Sequence, residues 1–238
     1  GSLVGSEMCI RDRICSSSRI HKSATIEGDV SIDSEVEIMA GVYLKGPLII
    51  GRGTKIFPNC VIGTDGEHRS KSSEGKIIIG ENNVIRELTV IQRGTGNRDT
   101  SIGNNCFIMD HTHIAHDVKI ESGVTIAPNV VLGGHVYVQE SATIGIGSVF
   151  HQWSTIGAFS MTGMGSVVTK DIPPLAMVMG NPAKYAGPNI HALNRLNIPL
   201  ETLVLGQDGY LHAENEQKLL EWNKAMENLR KRKLCTIG

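Results

Sequence analysis

The feature that most constrains this chain is a six-residue period. From Ile20 an aliphatic residue returns at every sixth position, through Ile26, Ile32, Ile38, Leu44, Ile50, Ile56 and Ile62. A polar stretch, Thr64 to Lys76, interrupts the frame, which resumes at Ile79, Ile85 and Ile91. A second interruption, 93–99, follows. The frame then continues through Ile102, Ile108, Ile114, Ile120, Ile126, Leu132, Val138, Ile144, Phe150, Ile156, Thr162 and Val168. Four residues after each anchor the side chain is usually small or β-branched, as at Val30, Val36, Cys106, Val118, Val130 and Ala142. Such a period fits neither an amphipathic helix nor an alternating strand. It fits units of a short strand plus a turn, three of which close a triangular coil. One coil cannot bury its apolar face alone, so coils must stack and share a continuous core. The expected fold is therefore an all-β solenoid, a parallel β-helix of hexapeptide repeats with about seven to eight coils and two extruded loops. A short α-helical C-terminal region follows.

Composition agrees with a narrow prism. Aromatic residues make up only 4% of the 238 residues, against 40% hydrophobic and 27 glycines, so Ile, Val and small residues must fill the interior. The formal net charge of −1 and the lack of a dense basic footprint argue against a nucleic-acid partner. No run of about 18 apolar residues is present, which leaves no integral membrane segment. The cysteines, Cys9, Cys15, Cys60, Cys106 and Cys235, are odd in number and scattered without a CxxC pair. Neither a disulfide framework nor a zinc ribbon is indicated, and a reduced, cytoplasmic compartment is expected.

Residues 1–18 lack the layout of a signal peptide. Met8 to Arg13 reads like translated linker sequence, so this segment is expected to be non-native or disordered and is set apart from the fold. Residues 19–186 form the expected β-helix and 187–238 the helical region. Ile190, Leu193 and Leu196 stand at helical spacing before Pro199, and a second helix is expected over 212–233. Its basic end, Arg230 to Lys233, suits a helix C-terminus in water. A docking patch for an acidic partner is the other reading.

The histidines can be placed by arithmetic. Ile114, Leu132 and Phe150 are 18 apart, so their hexads lie on one face of three successive coils and carry His116, His135 and His151. A same-face ladder of imidazoles is expected, with Arg93 beneath His116 and with His111 and His113 near the preceding corner. Convergent titratable groups beside extruded loops mark a site. Two chemistries compete for it. His116, followed by Asp117, suits general-base acyl transfer, with the backbone at Gly133-Gly134 close to a developing oxyanion. Zinc is the alternative, since His111 and His116 echo ligand spacing in β-helical carbonic anhydrases, whose third His has here only His68 as a counterpart.

The period resembles that of the left-handed parallel β-helix acyltransferases, and the left hand is taken from that resemblance. The resemblance sharpens along an ordered set: Ile85-Arg86-Glu87, Arg93-Gly94-Thr95, His113-Ile114-Ala115-His116-Asp117, Gly134-His135-Val136, His151-Gln152, Gly180-Asn181 and Gly187-Pro188-Asn189-Ile190 with Leu193 and Arg195. Together these are similar to the acyl-carrier-protein-dependent UDP-N-acetylglucosamine O-acyltransferases that open lipid A synthesis. The resemblance covers roughly residues 20–200. It implies His116 as general base on the sugar 3-hydroxyl, oriented by Asp117, with the Gly134 N–H as oxyanion donor. His113, His135, His151 and Gln152 would line the sugar and acyl site. Asn189 and Arg195 would hold the nucleotide diphosphate, and Lys76 is the remaining candidate contact. It further implies acyl carrier protein as partner, a homotrimer with sites between prisms, and no cofactor or metal beyond the phosphopantetheine carried on the donor.

Three departures stand out. His191 and Leu196 occupy positions where the family usually has an acidic residue and a second Arg. Met164 stands where the residue limiting the acyl pocket is placed, and its bulk implies a shorter acyl chain. These keep open an acyl- or acetyltransferase of the same fold that uses another nucleotide sugar or coenzyme A.

Overall fold

The computed structural model describes residues 13–70, 72–213, 216–229 and 234–235. Cys9 and the rest of the first twelve residues, and the basic run Arg230 to Lys233, lie outside them.

The six-residue period becomes three parallel sheets of ten, eight and seven strands, one per side of a triangular prism. The first face opens with Arg19–Ile20, the second with Thr25–Glu27 and the third with Val30–Ile32. Each anchor pairs with the anchor one coil on: Ile20 with Ile38, Ile26 with Leu44, Ile32 with Ile50. Where the frame is interrupted the ladder continues, since Ile62 pairs with Ile91 and Ile50 with Ile79. Both insertions thus leave the prism at one corner, between the second and third faces, and the coils above and below stay in phase.

Anchors from Ile32 to Val168 point inward and are almost wholly buried. A prism held by one aliphatic stack is sensitive to truncation, and Ile→Ala in such a core costs about 2–5 kcal/mol. Several buried polar groups carry hydrogen bonds between coils. Asn83, for example, accepts from Cys106 N at 2.8 Å and donates to Gly103 O at 2.8 Å, as a buried amide must.

Three expected boundaries need correction. The prism begins before residue 19: Ile14 bridges to Ile32, Cys15 N donates to Ile32 O, and Arg13 pairs with Asp29. Residues 13–18 therefore belong to the fold, because Ile14 covers an end of the aliphatic stack. At the far end Ala176–Met179 is the last parallel rung and pairs antiparallel with Lys184–Pro188, so the expected division at 186/187 falls inside a strand. The second expected helix starts late. The first helix, α1 (Ile190–Leu196), is capped by Asn189 and ended by Asn197 in the left-handed region. After it a hairpin, Leu203–Leu205 with Leu211–Ala213, precedes α2 (Gln217–Leu229). Residues 206–210 make the connection: Gly206 N donates to Tyr210 O, and Asp208 accepts from Tyr210 N beside Gly209, which has a positive φ.

The C-terminal elements pack as one apolar cluster, in which Leu193, Leu211, Leu219 and Trp222 meet Ala158, Phe159 and Leu175 of the prism. Trp222 Nε1 donates to Glu140 Oε1 at 2.7 Å. Among the described residues no helix is long and apolar enough to cross a membrane.

Candidate active site

The corner from which both loops emerge also carries a column of three residues 18 apart: Asp117, His135 and Trp153. Each turns the chain with a positive φ, at 61°, 62° and 68°. A positive φ recurs at corners throughout the prism, on Asn and Gly at many and on Leu88, Phe159 and Leu175 at others, and it costs a side chain more than it costs Gly. The backbone links the coils here, since His135 N donates to His116 O and Trp153 N to Gly134 O.

This register corrects the expected ladder. His116 is level with Gly134 and Gln152, and His135 with Asp117 and Trp153, so the imidazoles interleave diagonally instead of stacking. His135 lies flat on Trp153, centroids 3.7 Å apart and planes 9° off, and meets His116 edge-on at 5.2 Å. His151 lies outside this group. It is exposed, beside exposed Gln152, with Nδ1 within 3.1 Å of the Gln152 carbonyl. The hexads were assigned to the correct face, but the one-residue offset between 116 and 135 moves the side chain from strand end to corner.

Asp117 is the hub. Its Oδ2 lies 2.8 Å from His116 Nδ1 and 3.3 Å from His135 Nε2. Thr95 donates to it twice, from N at 2.8 Å and from Oγ1 at 2.6 Å. Burial alone pushes the carboxyl pKa up. The hydrogen bonds from Thr95 and His116 outweigh burial and hold it below the usual carboxylate range. An ionised Asp117 requires the proton of His116 on Nδ1, which leaves Nε2 with its lone pair. The other side of His116 is closed by Gly134: a Cβ there would lie 2.6 Å from Cε1 and 2.8 Å from Nε2. Only the absence of a side chain lets the ring settle against that backbone.

The loops complete the enclosure. Gly96 N donates to Ser72 O, and Arg93 reaches down to Asp65 and to Gly46 O rather than to His116. His68 brings its ring to 5.9 Å from that of His116. Arg98 lies over Trp153, 5.3 Å from its centroid, with Nη1 at 3.1 Å from His135 Nδ1. A cavity of about 300 Å³ opens here, lined by Arg98, Asp117, Lys119, His135, Tyr137 and Trp153, among others.

The remaining expected residues are dispersed. His113 is half-buried on the second face, in register with Val90 and Val131. Lys76 stands where the first loop rejoins the third face, its N–H on Asp99 Oδ1. Asn189 caps α1 and donates Nδ2 to Phe159 O at 2.8 Å. Arg195 covers the Phe159 ring and donates to Ser141 Oγ at 3.1 Å. Both belong to the corner between the third and first faces, so the third face separates them from His116 within one chain. Met164, 76% exposed, occupies the corner between the first and second faces beside exposed Ile146.

Among the described residues His116, Asp117 and His135 are close enough together to hold a metal ion, with ligand atoms within 4.8 Å of one another. An ion there would strip Thr95 and His116 from Asp117, so the donor set suits a hydrogen-bonded relay better. His111, which the zinc reading needs, sits with Asp110 at a different corner. Thr95, Arg98 and Trp153 are site residues that the sequence reading passed over. Counting 18 from His135 finds Trp153, whereas nothing in the sequence shows where a loop will fold back.

A family model for bacterial transferase hexapeptide (six repeats) matches residues 99–134. The acyl-[acyl-carrier-protein]–UDP-N-acetylglucosamine O-acyltransferase of Sinorhizobium fredii is 36% identical over 162 residues, which are 67% of this chain and 60% of that protein. The chain thus spans about three fifths of the length of that curated relative. The structure of the UDP-N-acetylglucosamine acyltransferase of Francisella novicida superposes with a TM-score of 0.79 at 27% identity, covering 94% of each chain. LpxA from Acinetobacter baumannii is 33% identical over 80% of each chain, with a TM-score of 0.58. With a six-residue period, a left-handed parallel β-helix and a His-Asp pair at the loop-bearing corner, the chain belongs to the hexapeptide-repeat acyltransferases, in the UDP-N-acetylglucosamine O-acyltransferase family.

Proposed function

We propose that the protein transfers a 3-hydroxyacyl group from acyl carrier protein to the 3-hydroxyl of UDP-N-acetylglucosamine, the first step of lipid A synthesis, in the cytoplasm. The observation that carries this reading is His116, oriented through Nδ1 by a buried, ionised Asp117 and packed against Gly134. In the proposed mechanism His116 Nε2 takes the proton of the sugar hydroxyl as its oxygen attacks the thioester carbonyl. The Gly134 N–H stabilises the oxyanion. Collapse expels the phosphopantetheine thiolate, which recovers the proton from His116. The imidazolium formed in between is stabilised by Asp117.

His113 stands at the foot of an exposed apolar column, Val131 and Val149, that leads towards Ile146 and Met164. This column would take the acyl chain, with Met164 limiting its length, and His135, His151 and Gln152 flank the sugar end. Lys76, at the mouth of the loops, is the remaining contact. Asn189 and Arg195 stand across the third face from His116, which supports a homotrimer in which one copy supplies the base and its neighbour the nucleotide contacts. Arg is suited to a diphosphate by its planar fork of donors.

Leu196 packs against the C-terminal apolar cluster and offers no cation beside Arg195. That favours, as the second reading, another nucleotide sugar or a coenzyme A donor. The deciding experiment supplies purified protein with UDP-N-acetylglucosamine and hydroxyacyl carrier proteins of graded length, and detects the product by mass. Transfer with a maximum at shorter chains is expected. A maximum at long chains would overturn the Met164 assignment, and turnover only with another nucleotide sugar or with coenzyme A would replace the leading reading. Light scattering that returned a monomer would remove the shared site.

A further inference from the structure

We infer that Arg98 is a positioning residue that holds His135 neutral and so keeps Asp117 available to His116. The inference rests on the proposed role of His116 as base.

The argument starts from what a guanidinium can do. Arg carries five N–H donors, no acceptor, and a charge that never titrates in a protein. Arg98 Nη1 lies 3.1 Å from His135 Nδ1, so that nitrogen must present a lone pair. The single proton of His135 is then on Nε2, the atom 3.3 Å from Asp117 Oδ2. The His135 side chain is only 6% exposed, so protein groups meet most of the ring. Trp153 fixes the ring plane by stacking at 3.7 Å and also lies under the guanidinium.

The other groups facing His135 do not lift this constraint. His116 approaches by ring edge at 5.2 Å, Asp117 attracts a second proton, and Lys119 and Tyr137 share its cavity. Asp117 alone would favour the imidazolium. Arg98 opposes it, because a second proton on Nδ1 would point N–H at N–H beside a fixed positive charge. If His135 were cationic it would bind Asp117 as an ion pair. The carboxylate would then be divided between two imidazoles, and His116 would lose basicity. Arg98 thus sets a tautomer one residue away from the base it serves. The loop 93–99 carries both Thr95 and Arg98, so one short segment orients Asp117 directly and His135 through its far nitrogen.

The test reads the tautomer itself. Full-length protein labelled with 15N-histidine is compared with His135→Gln to assign the ring signals in long-range proton–nitrogen spectra. His135 is expected to show a bare Nδ1 and a protonated Nε2 from pH ~8 to ~5.5, across the range where free imidazole titrates. Arg98→Met should raise the His135 titration midpoint by about one pH unit or more, the size expected when a contacting charge is removed. Arg98→Lys, which restores charge and one donor, should return it most of the way. A protonated Nδ1 in the wild type, or an unchanged midpoint in Arg98→Met, would overturn the inference. A second measurement follows kcat/KM against pH with UDP-N-acetylglucosamine, where the acid limb of Arg98→Met should move up with the spectroscopic midpoint. If the spectra behave as expected and no variant transfers acyl groups, the proposed reaction fails while the hold on His135 stands.

Discussion

Replacing Gly134 by Ala separates catalysis from stability in a way the geometry makes quantitative. The added Cβ would sit 2.6 Å from His116 Cε1, 2.8 Å from Nε2 and 3.1 Å from Nδ1. Ordinary carbon contacts lie near ~3.5–4.0 Å, so the ring must retreat by about 1 Å. The Nδ1–Asp117 bond is 2.8 Å long, and a retreat of that size in line with it reaches about 3.8 Å, outside hydrogen-bonding range. A misplacement of ~1 Å in a reacting group costs on the order of 100-fold. Stability responds less. Gly134 is outside the left-handed region, so no backbone strain is added, and the obstructing atoms are the end of a side chain that can swing. Overpacking of this kind costs about 1–3 kcal/mol, and the lower end applies here. For a chain of this length each kcal/mol moves Tm by about 2–4 °C. The expected outcome is kcat reduced by about two orders of magnitude in a protein that melts only a few degrees early. Steady-state kinetics and calorimetry on the same preparation check both halves. A Gly134→Ala enzyme with kcat within threefold of wild type would refute the placement of His116 against Gly134.

Other expectations follow from the same contacts. His116→Ala should lower turnover by about 10²–10⁴-fold, the usual worth of a general base, without loss of the folded state; near-normal turnover would exclude His116 as base. Thr95→Val removes a 2.6 Å bond to Asp117 and should cost about 1.5–3 kcal/mol, the range for a hydrogen bond to a charged group. The Asp117 pKa is depressed on folding, so its stabilisation is complete above the ordinary carboxylate value and is lost as pH falls below it through the folded value. Thr95→Val should therefore lose more stability at neutral pH than in strong acid, and equal losses in urea melts at both would contradict the ionised Asp117. Thiol chemistry gives an independent check on the fold. Cys15 is lowered by its hydrogen bonds with Ser17, whereas burial pushes Cys60 up to about 11. Among the described cysteines, alkylation of native protein followed by peptide mapping should label Cys15 before Cys60, Cys106 and Cys235; early labelling of Cys60 would place it outside the core.

The prism was legible from sequence because its determinant is local and repeated. One anchor every six residues fixes strand, turn and inward face together, and the two interruptions could be recognised as loops by where the frame resumed. Asn189 was legible as a helix start, and His116-Asp117 as a pair, because neighbours in sequence are neighbours at a corner. Ile14 stands in frame, six residues before Ile20, and escapes only because residues 1–18 are set apart as linker-like. The hairpin over 203–213 falls between the two expected helices, before Pro199 and over 212–233, where Asp208-Gly209 is its only local signal.

The sequence by itself determined the stacked coils, the aliphatic core, the three successive hexads that carry the histidines and the family of the chain. Period and motif are properties of order along the chain, and order is what a sequence holds. Tertiary structure alone decided which groups touch. A one-residue offset sends His135 to the corner with Asp117 and Trp153 instead of above His116. The path of the loop 93–99 brings Thr95 and Arg98 onto Asp117 and His135. Such contacts depend on where non-repeating backbone returns to the prism, which is settled by packing and hydrogen bonding between segments, and no period encodes it.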